Sequence, residues 1–290
     1  MMMNLKKIIS HGVFIALCLV ASPTAWAETG LFWKAESPNA KTIYLFGTMH
    51  TDDNRVTNFS PKVAETLKTI DAFMMETLAP TDPRVLMNAN SLEEVLTEKE
   101  LEKIRELADF HTMHKDAAMH MKPWLLAVVF DSPKPLTPFA QDNLLMRQAE
   151  DFGKEIIGIE DTEEHFGIMD SFTFDEQLTM LRAVLKRSQA TKEKDFEKLI
   201  AAYLEGNSEK VLALDEKITG GMLPPSIWKK MKTKLMDERN VVMADRVIEE
   251  AKVKNVFVAV GASHLAGKGG LIASLKSAGY QLSAMPLALK

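Results

Sequence analysis

Residues 41–50 read KTIYLFGTMH, and residues 255–264 read NVFVAVGASH. Each is an apolar run that ends in a glycine, two further residues and an imidazole. Continuous apolar runs of this length are how strands covered on both faces read. The two segments therefore predict buried strands with Gly47-x-x-His50 and Gly261-x-x-His264 at their carboxyl ends. In open α/β sheets ligands gather at those ends, where the loops leave. Glycine there allows a sharp turn or a close approach.

Four more segments read as strands: LFWKAES (31–37), DAFMMET (71–77), EIIGIE (155–160) and GYQLSAM (279–285). Between them the apolar spacing changes to intervals of three and four, as in LTEKELEKIRELADF and DEQLTMLRAVLKRS, which predicts helices. Further helices are expected at 193–205, 207–218 and 230–253. The expected class is α/β. A mixed, mostly buried β-sheet is formed by the N- and C-terminal parts, flanked by helices, with a helical insertion over 90–235. No Gly/Ser/Pro linker and no short repeat divides the chain.

Residues 1–27 carry the pattern of a secretory signal peptide. Lys6 and Lys7 open it, GVFIALCLV (12–20) forms its apolar centre, and Pro23 precedes the small-x-small ending Ala25-Trp26-Ala27. Cleavage there leaves residues 28–290 as one domain, expected in the periplasm or secreted, with no membrane anchor. Cys18 is the only cysteine, so the mature chain has neither a disulfide nor a thiolate to offer. Removing the two leader lysines takes the formal charge from −5 to −7. That mild acidity argues against nucleic acid as a partner.

If the two Gly-x-x-His strands are neighbours, His50 and His264 can bind one divalent metal. The alternative is two unrelated loop histidines, each bonded to backbone. Glu76 ends the run DAFMMET, where a carboxylate needs a metal, an arginine or a proton as partner. Glu160 ends EIIGIE in the same way, or serves as an acid at a helix N-terminus. At 100° per residue, Leu235, Met236, Val242, Met243, Val247 and Ala251 form one apolar arc, and Arg239 and Asn240 fall inside it. A guanidinium aimed inward either holds Glu76 or Glu160, or faces substrate.

METL at 75–78, KPWLLAV, DNLLMRQAEDFGKEIIGIEDTEEH, ERNVVMADRVIE and VFVAVGASHLAGKGGLIASLKSAGYQL, with the opening Gly-Thr-x-His, resemble the TraB/GumN family, related to the TIKI metalloproteases. The resemblance spans the mature chain. It implies a metal-dependent peptidase site with His50, Glu76 and His264 foremost and Glu160, Arg239 and Asn240 behind them. Mn, Co or Zn would be its metal. Here HTDDN (50–54) keeps Asp52 and Asp53 but lacks the glycine that many members carry. Some relatives are regulators or sequestering factors for peptides.

The leading expectation is an exported, metal-dependent, peptidase-like hydrolase acting on a peptide or small molecule. Its rival is a binding protein that captures such a ligand in the same cleft without turnover. A third reading makes the polar cluster a scaffold for the sheet. Other signals are weaker. His111, His114 and His120 lie in a Met-rich stretch of the kind that binds copper, but Met is abundant throughout and fills cores. GASHLAGKGG lacks the spacing of a phosphate loop, and Ser263 lacks the G-x-S-x-G frame. His165, at an acidic helix start, is expected to be solvated.

Overall fold

The computed structural model describes residues 30–287. The leader over 1–27 lies outside the described residues. All six strands form where the apolar runs predict them. In chain order the first elements are β1 (Phe32–Glu36), β2 (Ile43–Thr48), α1 (Asn54–Thr57), α2 (Pro61–Thr69) and β3 (Ala72–Met75). Then come α3 (Glu98–Phe110), α4 (Lys115–Met119), α5 (Pro123–Asp131), α6 (Gln141–Asp151) and β4 (Glu155–Gly158). Five helices follow: α7 (Thr162–Asp170), α8 (Phe174–Leu185), α9 (Gln189–Leu204), α10 (Ser208–Met222) and α11 (Pro225–Lys232). The chain ends with α12 (Arg239–Glu250), β5 (Val256–Gly261), α13 (Ala262–Leu265), α14 (Leu271–Ser277) and β6 (Gln281–Ala284).

The sheet order is β4-β3-β5-β2-β1-β6. β4, β3, β5 and β2 are mutually parallel, while β1 runs antiparallel to both β2 and β6. β5 is buried along its length because it lies between β3 and β2 and is covered on both faces. Its alternate residues feed two cores. Val256, Val258 and Val260 join Met243, Val247 and Leu275 on the α12–α14 face. Phe257 and Ala259 join Val63, Leu67 and Leu145 on the α2–α6 face. Phe32, Phe46, Phe257 and Phe73 form a ladder across four strands, with successive centroids 5.6–5.8 Å apart. Such cross-strand aromatic pairs fix register as well as burying area.

The sheet draws on more than the two ends of the chain. Within the stretch expected to be a helical insertion, the run EIIG adds edge strand β4, and Leu145 and Ala149 of α6 pack on the sheet. The rest of the insertion has its own core, in which α3, α5 and α8 meet around Ile104, Leu126, Phe130 and Leu181. Among the described residues no helix is long and apolar enough to cross a membrane.

Registry decides where the site lies. Thr48 of β2 pairs with Gly261 of β5, and Met75 of β3 pairs with both Ala259 of β5 and Gly158 of β4. The carboxyl ends of all four parallel strands therefore open on one side of the sheet, and the next residues out are His50, Glu76, Glu160 and His264.

Candidate functional site

Two clusters are built on that edge. The first has Arg239 at its centre, the first residue of α12, buried against the sheet. Its Nε donates to both oxygens of Glu160, at 2.9 and 3.0 Å, and its Nη2 donates to Glu160 Oε2 at 2.7 Å and to Glu76 Oε2 at 2.6 Å. The guanidinium thus holds both carboxylates between which the sequence left a choice. Glu160 is only 2% exposed, and the helix-capping role falls instead to Asp161, whose side chain accepts from Glu164 N–H. Glu76 has its second oxygen on the Gly261 N–H at 2.8 Å. Burial opposes its ionisation, yet His264, Arg239 and the Gly261 N–H together hold its carboxyl far below the usual range. Glu160 is depressed too, burial being outweighed by bonds to His165 and Arg239.

His264 completes this cluster. Its Nδ1 lies 2.6 Å from Asn240 Oδ1, an atom that only accepts, so the imidazole proton sits on Nδ1. The Nε2 lone pair then faces Arg239 Nη1 at 3.3 Å and lies 3.8 Å from Glu76 Oε1. Burial, reinforced by Arg239, pushes this imidazole below its ordinary pKa against the pull of Glu76.

His165 also belongs here, and the expectation that it is solvated does not hold. Its side chain is 22% exposed, with Nδ1 2.8 Å from Glu160 Oε2 and 3.2 Å from Arg239 Nη2. The first turn of α7 folds it back over Glu160, five residues earlier. Acidic neighbours in sequence had suggested a solvated face, whereas the relevant neighbour is the buried Glu160.

The second cluster surrounds His50, whose side chain is 77% exposed. Its Nδ1 sits 3.1 Å from each oxygen of Asp142 in α6, and that hydrogen bond raises the imidazole pKa above its ordinary value. The neighbouring Gln141 is fully buried. Its amide accepts from Met49 N–H at 2.8 Å and donates to the Val56 carbonyl at 2.6 Å. Tyr203 donates to the Gly47 carbonyl at 2.8 Å. The start of α6 and the end of α9 thus fix the turn carrying His50. Neither Asp142 nor Gln141 had a signal in the sequence, because their partners are 92 positions away.

Each Gly-x-x-His glycine has a steric reason. A Cβ on Gly47 would stand 2.9 Å from Leu265 Cδ1 and 3.0 Å from the Ala262 Cα, so β2 can lie against α13 only without a side chain there. On Gly261 a Cβ would press on Glu76 Oε1 at 3.3 Å.

The rod that carries Arg239 runs unbroken from Pro225 to Glu250, but Thr233–Glu238 forms a π-turn within it. The wider turn breaks the 100° count. Met243 and Val247 face the sheet, whereas Leu235 packs with the helical core and lines a cleft together with Met236. The apolar arc drawn across 235–251 is therefore two faces.

That cleft, about 510 Å³, lies between the strand ends and α5, α8, α9, α10 and α11. His50 and residues 261–263 line it on the sheet side, facing Trp124, Met180 and Trp228 among others. His264, Glu76 and Arg239 are not among its lining residues. The Met-rich stretch forms no comparable site. His111 is buried against Phe130, while His114 and His120 are exposed.

Among the described residues no three His, Cys, Asp or Glu side chains converge as a ready metal cage. The donor chemistry still fits an ion held by imidazoles. Both rings have Nδ1 engaged by an oxygen, as metal-binding histidines do, but only His50 has Nε2 open; the Nε2 of His264 meets Arg239 Nη1 at 3.3 Å, which an ion would have to displace.

Residues 31–284 match the model of the TraB/PrgY/gumN family, and the chain belongs to that family. No curated protein matches it by sequence.

Proposed function

We propose that this TraB/PrgY/gumN chain is an exported, metal-dependent hydrolase of peptides that works at the carboxyl edge of its parallel strands. The carrying observation is the pair of imidazoles just past the carboxyl ends of adjacent strands β2 and β5, each with Nδ1 fixed by an oxygen. His50 and His264 would hold a divalent ion, Mn, Co or Zn, through Nε2, with Glu76 as the further donor. Such an ion, when bound, acidifies water and polarises a carbonyl.

The chain's own groups have distinct tasks. Glu76, ionised throughout the physiological range, offers charge and not a proton. Arg239 keeps Glu76 and Glu160 ionised and aimed, and Asn240 sets the tautomer of His264; both are positioning residues. Asp142 plays for His50 the part that Asn240 plays for His264, and its negative charge makes that imidazole the more basic. The cleft beside His50 would hold the substrate and exclude water. Export rests on the leader at 1–27, and a mature protein whose N-terminal sequence starts near Glu28 is its check.

Chelator-sensitive cleavage of peptides, lost in both His50→Ala and His264→Ala, is the expected result. Metal content measured on the wild type and the double variant should fall together with it. Undiminished cleavage in both variants removes the mechanism. A second reading, ligand capture without turnover, is favoured by one observation: Arg239 and the Gly261 N–H already occupy both oxygens of Glu76. Stoichiometric peptide binding that survives chelation, without cleavage, selects it.

A further inference from the structure

The cleft wall carries four carboxylates, Asp131, Asp195, Asp215 and Glu216. Three have cations. Arg187 bonds Asp131 and Asp195, each at 2.5 Å, and Lys232 bonds Glu216 at 2.5 Å. Asp215 has none among the described residues. Its partners are two hydroxyls, Ser263 Oγ at 3.3 Å and Thr219 Oγ1 at 3.4 Å, both long for such bonds. Its surroundings along α10 and α13 are apolar: Val211, Leu212, Ile218 and Ala262 line the same cleft. Asp215 is half-buried, and drawing a carboxylate part-way out of water without a counter-charge is costly; that burial raises its pKa.

We propose that Asp215 anchors a primary ammonium on the cleft's ligand, whose remainder is apolar. An ammonium has three N–H donors and no acceptor. Asp215, Ser263 Oγ and Thr219 Oγ1 supply three acceptors close together, which suits that group. Ser263 is the residue before His264, so the ammonium would sit beside the turn that carries the site. The remainder of the ligand meets methionine and tryptophan side chains, which adapt to varied apolar shapes. This assignment rests on the reading of the cleft as the ligand site. The ammonium has two chemical sources, the amino terminus of a peptide or a lysine side chain.

Calorimetry on the mature protein tests it with three probes: trileucine, N-acetyl-trileucine and the N-acetylated peptide Leu-Lys-Leu. Trileucine should bind at least ten-fold more tightly than its acetylated form. Asp215→Asn should bring the two together by weakening trileucine alone, with the acetylated peptide serving as the control for an intact cleft. Recovery of Asp215-dependent affinity by the lysine peptide assigns the site to side chains, and its absence assigns it to the amino terminus; both support the anchor. Equal affinity of trileucine and its acetylated form in the wild type overturns it. So does an equal loss for both in Asp215→Asn, or no binding by any probe at millimolar concentration. Turnover is not required. Binding that depends on Asp215 without cleavage would sink the hydrolase and keep the anchor. Cleavage of acetylated peptides with no preference for the free amine would do the reverse.

Discussion

The two Gly-x-x-His turns are alike in sequence and opposite in setting. His50 stands 77% exposed beside a carboxylate, while His264 is buried beside an amide and a guanidinium. The first imidazole is made more basic and the second less so. What differs is the helix behind each turn. The start of α6 presents Asp142 at the open rim with Gln141 buried beneath it, and the start of α12 presents Arg239 and Asn240 under the sheet edge. One motif therefore yields a responsive surface group and a fixed neutral donor, depending on what a remote segment places against it.

The sharpest way to break this contrast is to remove the partners. Arg239→Met leaves Glu160 buried without its guanidinium, with His165 alone beside it, and urea unfolding should show a loss of about 3–5 kcal/mol. Asp142→Asn, its counterpart at the rim, should cost less than about 1 kcal/mol, because its partner His50 is open to solvent. Equal losses would mean that the two turns are not differently embedded.

The glycines give a middle-sized test. Gly47→Ala drives a methyl into backbone at Ala262 and should destabilise by about 1–3 kcal/mol. Gly261→Ala meets side chains alone, the Glu76 carboxylate at 3.3 Å and His264 Cδ2 at 3.6 Å, and should cost less while shifting Glu76. The reverse order in thermal unfolding would contradict the packing described for β2 and α13.

The smallest effect is in titration. By NMR, His50 should titrate above 6.5 and His264 below it. Asp142→Asn should lower the first and leave the second. The signs for stability are opposite. With its pKa raised on folding, His50 contributes stability that is complete below 6.5 and is lost as pH rises through the folded value. With its pKa lowered, His264 penalises folding in acid, where the unfolded chain binds the extra proton, and stability recovers as pH rises to 6.5. A single shared titration would erase the distinction.

Most of the framework could be read from residues alone. Buried strands announce themselves as unbroken apolar runs, and the four polar residues at their ends, His50, Glu76, Glu160 and His264, follow from registry. Arg239 and Asn240 were legible as polar groups on an apolar helix face. The partners that set their behaviour were not. Asp142 meets His50 only because α6 docks on the sheet, and nothing in DNLLM marks that acid. His165 was obscured by its acidic neighbours, and Asp215 looks like any helix acid until the other cleft carboxylates are seen to be paired. The π-turn at Thr233–Glu238 was invisible to a constant 100° count, which is why Leu235 and Met236 were placed on the wrong side.

The strand at the heart of the sheet is also the fifth of its six described strands to be made. β5 joins β2 and β3 from more than 180 positions downstream, as the Gly261–Glu76 bond records. Contacts of such separation form slowly, and until they do β2 and β3 each carry an open apolar edge. A growing chain would emerge with its most aggregation-prone surfaces exposed until Val256–Gly261 arrive. Truncation upstream of Val256 would therefore leave an insoluble fragment with no partial site, and the demand for a holding chaperone should be set by the arrival of β5.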